Sequence, residues 1–145
     1  MKKILILIIS ALYLIPIASA QIQITKRNSF KTLISLRMGM VSLEQKGEDF
    51  YLMLLSDNPY DNPYIIHLGN GKKASMESLE SLIDIADTIK KHDIYEIDMQ
   101  KERLTITRGL IKSEIWIKSI YKAGYGKTSM GELKRLLDKL TFDVY

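Results

Sequence analysis

The chain has 145 residues, no cysteine, 46% apolar residues and a formal net charge of +4. Without cysteine there is no disulfide to staple the fold, so stability has to come from burial. A charge this small is no argument for nucleic acid as a partner.

Residues 1–20 read as a targeting segment and not as part of the fold. Lys2 and Lys3 form a basic start, Ile4 to Ile15 is apolar apart from Ser10, and Pro16 ends the run. Ala18-Ser19-Ala20 matches the small-x-small pattern of signal peptidase, with the cut after Ala20 and Gln21 as the new N-terminus. The run is short against the roughly 20 residues of a membrane span. No cysteine stands at the cut to carry a lipid. The expectation is a secreted or periplasmic protein with no membrane span after cleavage, an address that also disfavours nucleic acid. Removing 20 of 145 residues leaves 125, enough for a single domain over 21–145, and losing Lys2 and Lys3 lowers the charge to +2.

Gln21 to Ser29 reads as a lead-in strand or loose arm. From Lys31 the period is two, with Thr32, Ile34, Leu36 and Met38 on one face until Gly39 interrupts. Met40 to Lys46 is extended, Lys46 to Asp49 turns, and Phe50 to Leu55 is apolar on both faces, as a central strand would be. Asp57 to Tyr64 holds Asn-Pro-Tyr twice, an exposed loop because proline lacks a donor and pushes its predecessor out of helix. Tyr64 to Leu68 is a strand that ends at Gly69-Asn70-Gly71.

The helix that follows, to about His92, carries Met76, Leu79, Leu82, Ile83, Ile85, Ala86 and Ile89 on one side. Ser75 is its expected cap, and Lys90, Lys91 and His92 suit its C-terminal dipole. Strands then alternate over Tyr95–Met99, Leu104–Arg108 and Glu114–Lys122, the last with Ile115, Ile117 and Tyr121 inward against Trp116, Lys118, Ile120 and Lys122. Gly124-Tyr125-Gly126 makes a second glycine turn, and Ser129 with Glu132 forms a capping box for a helix to about Leu140. Placing Ser75 on Ser129 aligns Leu79 with Leu133, Leu82 with Leu136 and Ile83 with Leu137. These features predict an α+β two-layer sandwich: one antiparallel sheet of about six strands with two helices on one face. The order reads as a tandem βββα pseudo-repeat, with halves of about 30–92 and 93–145.

Chemistry is sparse. Gly126-Lys127-Thr128 resembles the end of a phosphate-binding loop, but Tyr121 stands where that motif needs glycine. His67 and His92 are 25 positions apart and lack zinc spacing, no nucleophile pairs with a base, and no calcium loop spacing occurs. No catalytic residue, metal or cofactor is therefore assigned. Lys72, Lys73 and Lys127 near helix starts are weak candidates for an anion. The aromatic signal is stronger. Tyr51 and Met53 on the two-sided strand, Tyr60 and Tyr64 in the proline loop, and Trp116, Lys118 and Tyr125 are candidate contacts for a protein or glycan. The expected function is an exported non-enzymatic binding module acting through the open sheet face and the Asn-Pro-Tyr loop. The alternatives are a small envelope or polymer hydrolase with a carboxylate pair, and a self-assembling structural subunit, with a homodimer as one form.

Overall fold

The structure is a computed structural model that describes residues 29–142 apart from Asp57, Pro59, Asp61, Lys101, Ile111 and Lys112. The targeting segment and residues 21–28 of the lead-in lie outside the described residues. The elements are β1 (Lys31–Leu36), a 3-10 turn (Arg37–Gly39), β2 (Val41–Lys46), β3 (Asp49–Leu54), β4 (Tyr64–Asn70) and α1 (Lys72–Thr88). The second half follows as β5 (Ile94–Met99), β6 (Glu102–Arg108), β7 (Glu114–Ser119), β8 (Gly126–Ser129) and α2 (Met130–Phe142).

The chain is α+β, as its patterning indicates, but the single six-stranded sheet is corrected to two. Each is antiparallel and four-stranded, ordered β1-β2-β3-β4 and β5-β6-β7-β8. Four strands, not three, precede each helix. The strand missed in the second half is β8, whose four residues Gly-Lys-Thr-Ser show no apolar alternation to detect. Both helices nonetheless pack on the first of the two sheets. α1 packs on β4 and on α2, whereas α2 reaches back to β1 and β2 of the first sheet as well as to β8.

The inward faces of both sheets and the stripes of both helices form one hydrophobic cluster. Leu52 and Ile66 come from the first sheet, Leu104 and Ile117 from the second, Leu79 from α1 and Leu133 from α2, all fully buried. Truncating such a leucine to alanine costs about 2–5 kcal/mol.

The sheets are joined at one corner. Ser56, just past β3, makes an antiparallel bridge with Gly126 at the start of β8. A Cβ on Gly126 would lie 2.6 Å from Leu54 Cβ, so only glycine lets the two strands approach this closely. Beside it the Ser119 N–H donates to the Tyr64 hydroxyl, and Lys122 Nζ donates to the Ile65 carbonyl at 2.8 Å.

A second tie runs from the β1–β2 turn to α2. Arg37 Nε and Nη2 each lie 2.7 Å from a carboxylate oxygen of Glu132. Arg37 and Met38 have φ of 49° and 54°, left-handed values that cost an L-residue about 1–2 kcal/mol each. The two-pronged charge pair helps hold that turn.

Local details also depart from the sequence pattern. β1 carries a bulge between Thr32 and Ile34, so Thr32 pairs with Glu44 on the outer face while Ile34 pairs with Leu43 on the inner one. Tyr121 lies beyond β7 and is exposed, not inward. The cap of α1 is Gly71, one turn before Ser75. Ser75 instead donates to the Gly71 carbonyl at 2.8 Å from inside the helix, and Ser78 donates to the Leu68 carbonyl at 2.6 Å, docking α1 on β4. Ser129 does cap α2, accepting from the Glu132 N–H at 3.3 Å. α1 ends at Thr88, so Lys90, Lys91 and His92 fall outside it; Arg108 Nη2 serves its last turn, 2.8 Å from the Ile89 carbonyl.

Gly126→Ala is expected to lower stability by about 1–3 kcal/mol through overpacking against Leu54. In urea unfolding, Leu54→Ala combined with Gly126→Ala should cost somewhat less than the sum of the two single changes, because alanine removes the Leu54 Cδ1 contact at 2.7 Å while keeping the Cβ.

Candidate functional site

The period-two alternation of β7 sends Ile115 and Ile117 into the core and Glu114, Trp116 and Lys118 to the outer face. Cross-strand register extends this face. Trp116 stands opposite Thr107 and Lys127, and Lys118 stands opposite Thr105, which is itself opposite Glu96. Residues paired in this way share a face.

Trp116 is held on three sides. Its indole N–H donates to Glu114 Oε2 at 2.9 Å. The missing side chain of Gly109 makes room beneath, since a Cβ there would lie 2.7 Å from both the indole nitrogen and Glu114 Oε2. Tyr125 stacks on the indole with ring centroids 4.5 Å apart and planes 22° apart. Lys127 Nζ lies 5.9 Å from the Trp116 ring and 5.5 Å from the Tyr125 ring. Aromatic stacking contributes about 0.5–1.5 kcal/mol beyond area burial, and an exposed cation–π contact about 0.5–1 kcal/mol. The result is a fixed, half-exposed pair of rings with an ammonium beside it. Further along the face Arg103 Nε meets Asp98 at 2.7 Å, and this hydrogen bond holds the Asp98 carboxyl below its usual pKa.

The outer face of the first sheet is less open. Tyr51 and Met53 are half-buried there. Phe30 lies edge-on over Tyr51 at 5.2 Å, and His67 lies 5.1 Å from the same ring, its Nε2 2.9 Å from Asp49 Oδ1. Burial, then the charge of Asp49, raises the pKa of the Tyr51 hydroxyl. Glu44 is buried on this face and accepts the hydroxyls of Thr32 and Ser42 at 2.9 and 2.7 Å.

Of the residues singled out in the sequence, Trp116, Tyr125 and Lys127 come together, and Lys118 shares their face. Tyr51 and Met53 lie on the other sheet. Tyr60 is 94% exposed in the loop before β4, its N–H on Asn58 Oδ1 at 3.2 Å. Tyr64 is 4% exposed and belongs to the joint between the sheets, not to a surface. Lys72 and Lys73 stay at the start of α1, Lys73 4.0 Å from Glu77, while Lys127 lies against the aromatic pair. Glu114 and Gly109 were missed. Glu114 was readable, being two residues from Trp116 on the same face; Gly109 depends on how closely the hairpin folds back.

A cleft of about 630 Å³ lies between the end of α1, β6 and the start of α2, with Asp87 and Arg108 as the charged residues of its lining. Among the described residues no group of three or more His, Asp or Glu is placed to hold a metal, and no helix is long and apolar enough to cross a membrane. Comparison of the chain with protein-family models, with curated proteins and with solved structures finds no match.

Burial raises the Tyr64 hydroxyl pKa, partly offset by its hydrogen bonds to Ser119. Above the unfolded value near 10.0 the unfolded chain gives up a proton that the native state keeps. Stability should therefore be full below that pH and decline as pH rises toward the folded value. In urea titrations across this range, Tyr64→Phe should flatten the alkaline decline while costing about 1–3 kcal/mol at neutral pH, because the buried Ser119 N–H loses its acceptor.

Proposed function

We propose that the protein is an exported, non-catalytic binding module that meets a protein or glycan through the outer face of its second sheet. The observation that carries this reading is the stacked, half-exposed Trp116–Tyr125 pair, locked by Glu114 and Gly109 on the side turned away from the core. Rigid aromatic rings give large contact area with few torsions to freeze, which is why they dominate recognition surfaces. The shared order of four strands and a helix supports descent of the halves from one duplicated unit.

The protein should be retained on cell-envelope material, and Trp116→Ala with Tyr125→Ala should weaken retention by about 30-fold, the equivalent of about 2 kcal/mol. The melting temperature of the double variant serves as the folding control. Unchanged retention by a folded double variant would overturn the proposal.

A further inference from the structure

We propose that Asn70 is a self-modification site, converted to aspartate and isoaspartate by its own backbone and water at a rate set by the corner where β3, β4 and α1 meet. The asparagines of the chain are Asn28, Asn58, Asn62 and Asn70. Conversion begins with attack on the side-chain amide by the nitrogen of the next residue. Asn58 and Asn62 precede proline, whose nitrogen carries no hydrogen and cannot take part. Asn28 precedes serine, and a side chain on the following residue hinders the attack. Asn70 precedes Gly71, which offers no such hindrance. Glycine is needed there, because Gly71 caps α1 at a φ of 81°, a left-handed value that other residues reach only at a cost. The labile pair is therefore built into the start of α1.

In the reaction the Gly71 nitrogen bonds to Asn70 Cγ, the Cγ–Nδ2 bond breaks, and Nδ2 leaves as ammonia with the Gly71 proton. Water then opens the cyclic imide, its hydroxyl going to a carbonyl carbon and its proton to the Gly71 nitrogen. Opening at the side-chain carbonyl gives aspartate. Opening at the backbone carbonyl gives isoaspartate, whose main chain runs through the side-chain carbon and gains a methylene. Two native contacts oppose the first step. The Gly71 N–H donates to the Glu48 carbonyl at 2.7 Å, which keeps its proton and aims the nitrogen away from Cγ. Asn70 Nδ2 donates to Asp49 Oδ1 at 3.2 Å, which fixes the amide. Asn70 is exposed, so water reaches it, and the reaction waits only on opening of this corner. The products oppose its reclosure. A carboxylate replaces a donor beside Asp49, the same group that His67 Nε2 contacts. The isoaspartate methylene also breaks the pairing of residue 70 with Asp49 and displaces α1, which Ser78 docks on the Leu68 carbonyl.

Peptide mapping by mass spectrometry, on protein held in mildly alkaline buffer with and without urea, tests the proposal. In urea Asn70 should convert faster than any other asparagine, and Gly71→Ala should slow it in a chain that has no fold to disturb. Without urea Asn70 should convert about tenfold more slowly or less, because both hydrogen bonds must open first. Asp49→Ala, with circular dichroism as the folding control, should raise the native rate toward the rate in urea and leave the latter unchanged. Converted protein, separated by its added negative charge, should unfold at lower urea than unconverted protein. Conversion of the other asparagines as fast as Asn70 in urea, or no effect of Gly71→Ala, would overturn the site. Equal native and urea rates, or a folded Asp49→Ala variant that converts no faster than wild type, would overturn control by the corner. An unchanged unfolding midpoint after conversion would overturn the displacement of α1.

Discussion

The missing side chain at Gly126 is the constraint on which the fold depends. It lets β8 run against Leu54 at the end of β3, where any Cβ would lie 2.6 Å from a leucine carbon. Because the sheets meet at this corner, with Tyr64 on Ser119 beside it, their apolar faces enclose a single core together with both helices. The halves share that core, since α2 follows the second sheet in the chain yet packs on α1 and on β1 and β2 of the first. The outer faces are what this arrangement leaves over, and the recognition surface is one of them.

Glu132 shows how one residue can serve two levels of structure. Its backbone N–H takes the Ser129 cap while its carboxylate receives Arg37 from the far end of the chain. A local helix-start signal thus also fastens α2 to the first sheet. The left-handed conformation of Arg37 and Met38 is compensated by this contact.

How much of this was legible follows from the range of each signal. Ile115 and Ile117 inward, with Trp116 and Lys118 outward, is a period-two pattern that needs only neighbouring residues, and it held. The buried stripe of Leu79 and Leu82 matching Leu133 and Leu136 held for the same reason at helical period. Ser75 misled because a serine before an apolar run looks like a cap, and here it is a docking residue one turn inside the helix. Thr32 changed face because a bulge shifts the phase of the alternation. The division into two sheets rests on contacts between Ser56 and Gly126 and between Tyr64 and Ser119, 70 and 55 residues apart, to which local patterning is blind. Tyr64 looked like a loop aromatic for that reason, although its hydroxyl is one of the groups that tie the sheets.

A single core makes a direct demand on cooperativity. Leu52→Ala removes buried contacts in the first sheet, and Trp116 reports from the outer face of the second. The most direct measurement is urea unfolding of wild type and Leu52→Ala, followed in parallel by far-ultraviolet circular dichroism and by Trp116 fluorescence. The shared core predicts coincident transitions in both proteins, with the variant shifted equally on both signals by about 2–5 kcal/mol. A fluorescence transition that stays at the wild-type midpoint while the dichroism midpoint falls would show two independent units and contradict the account.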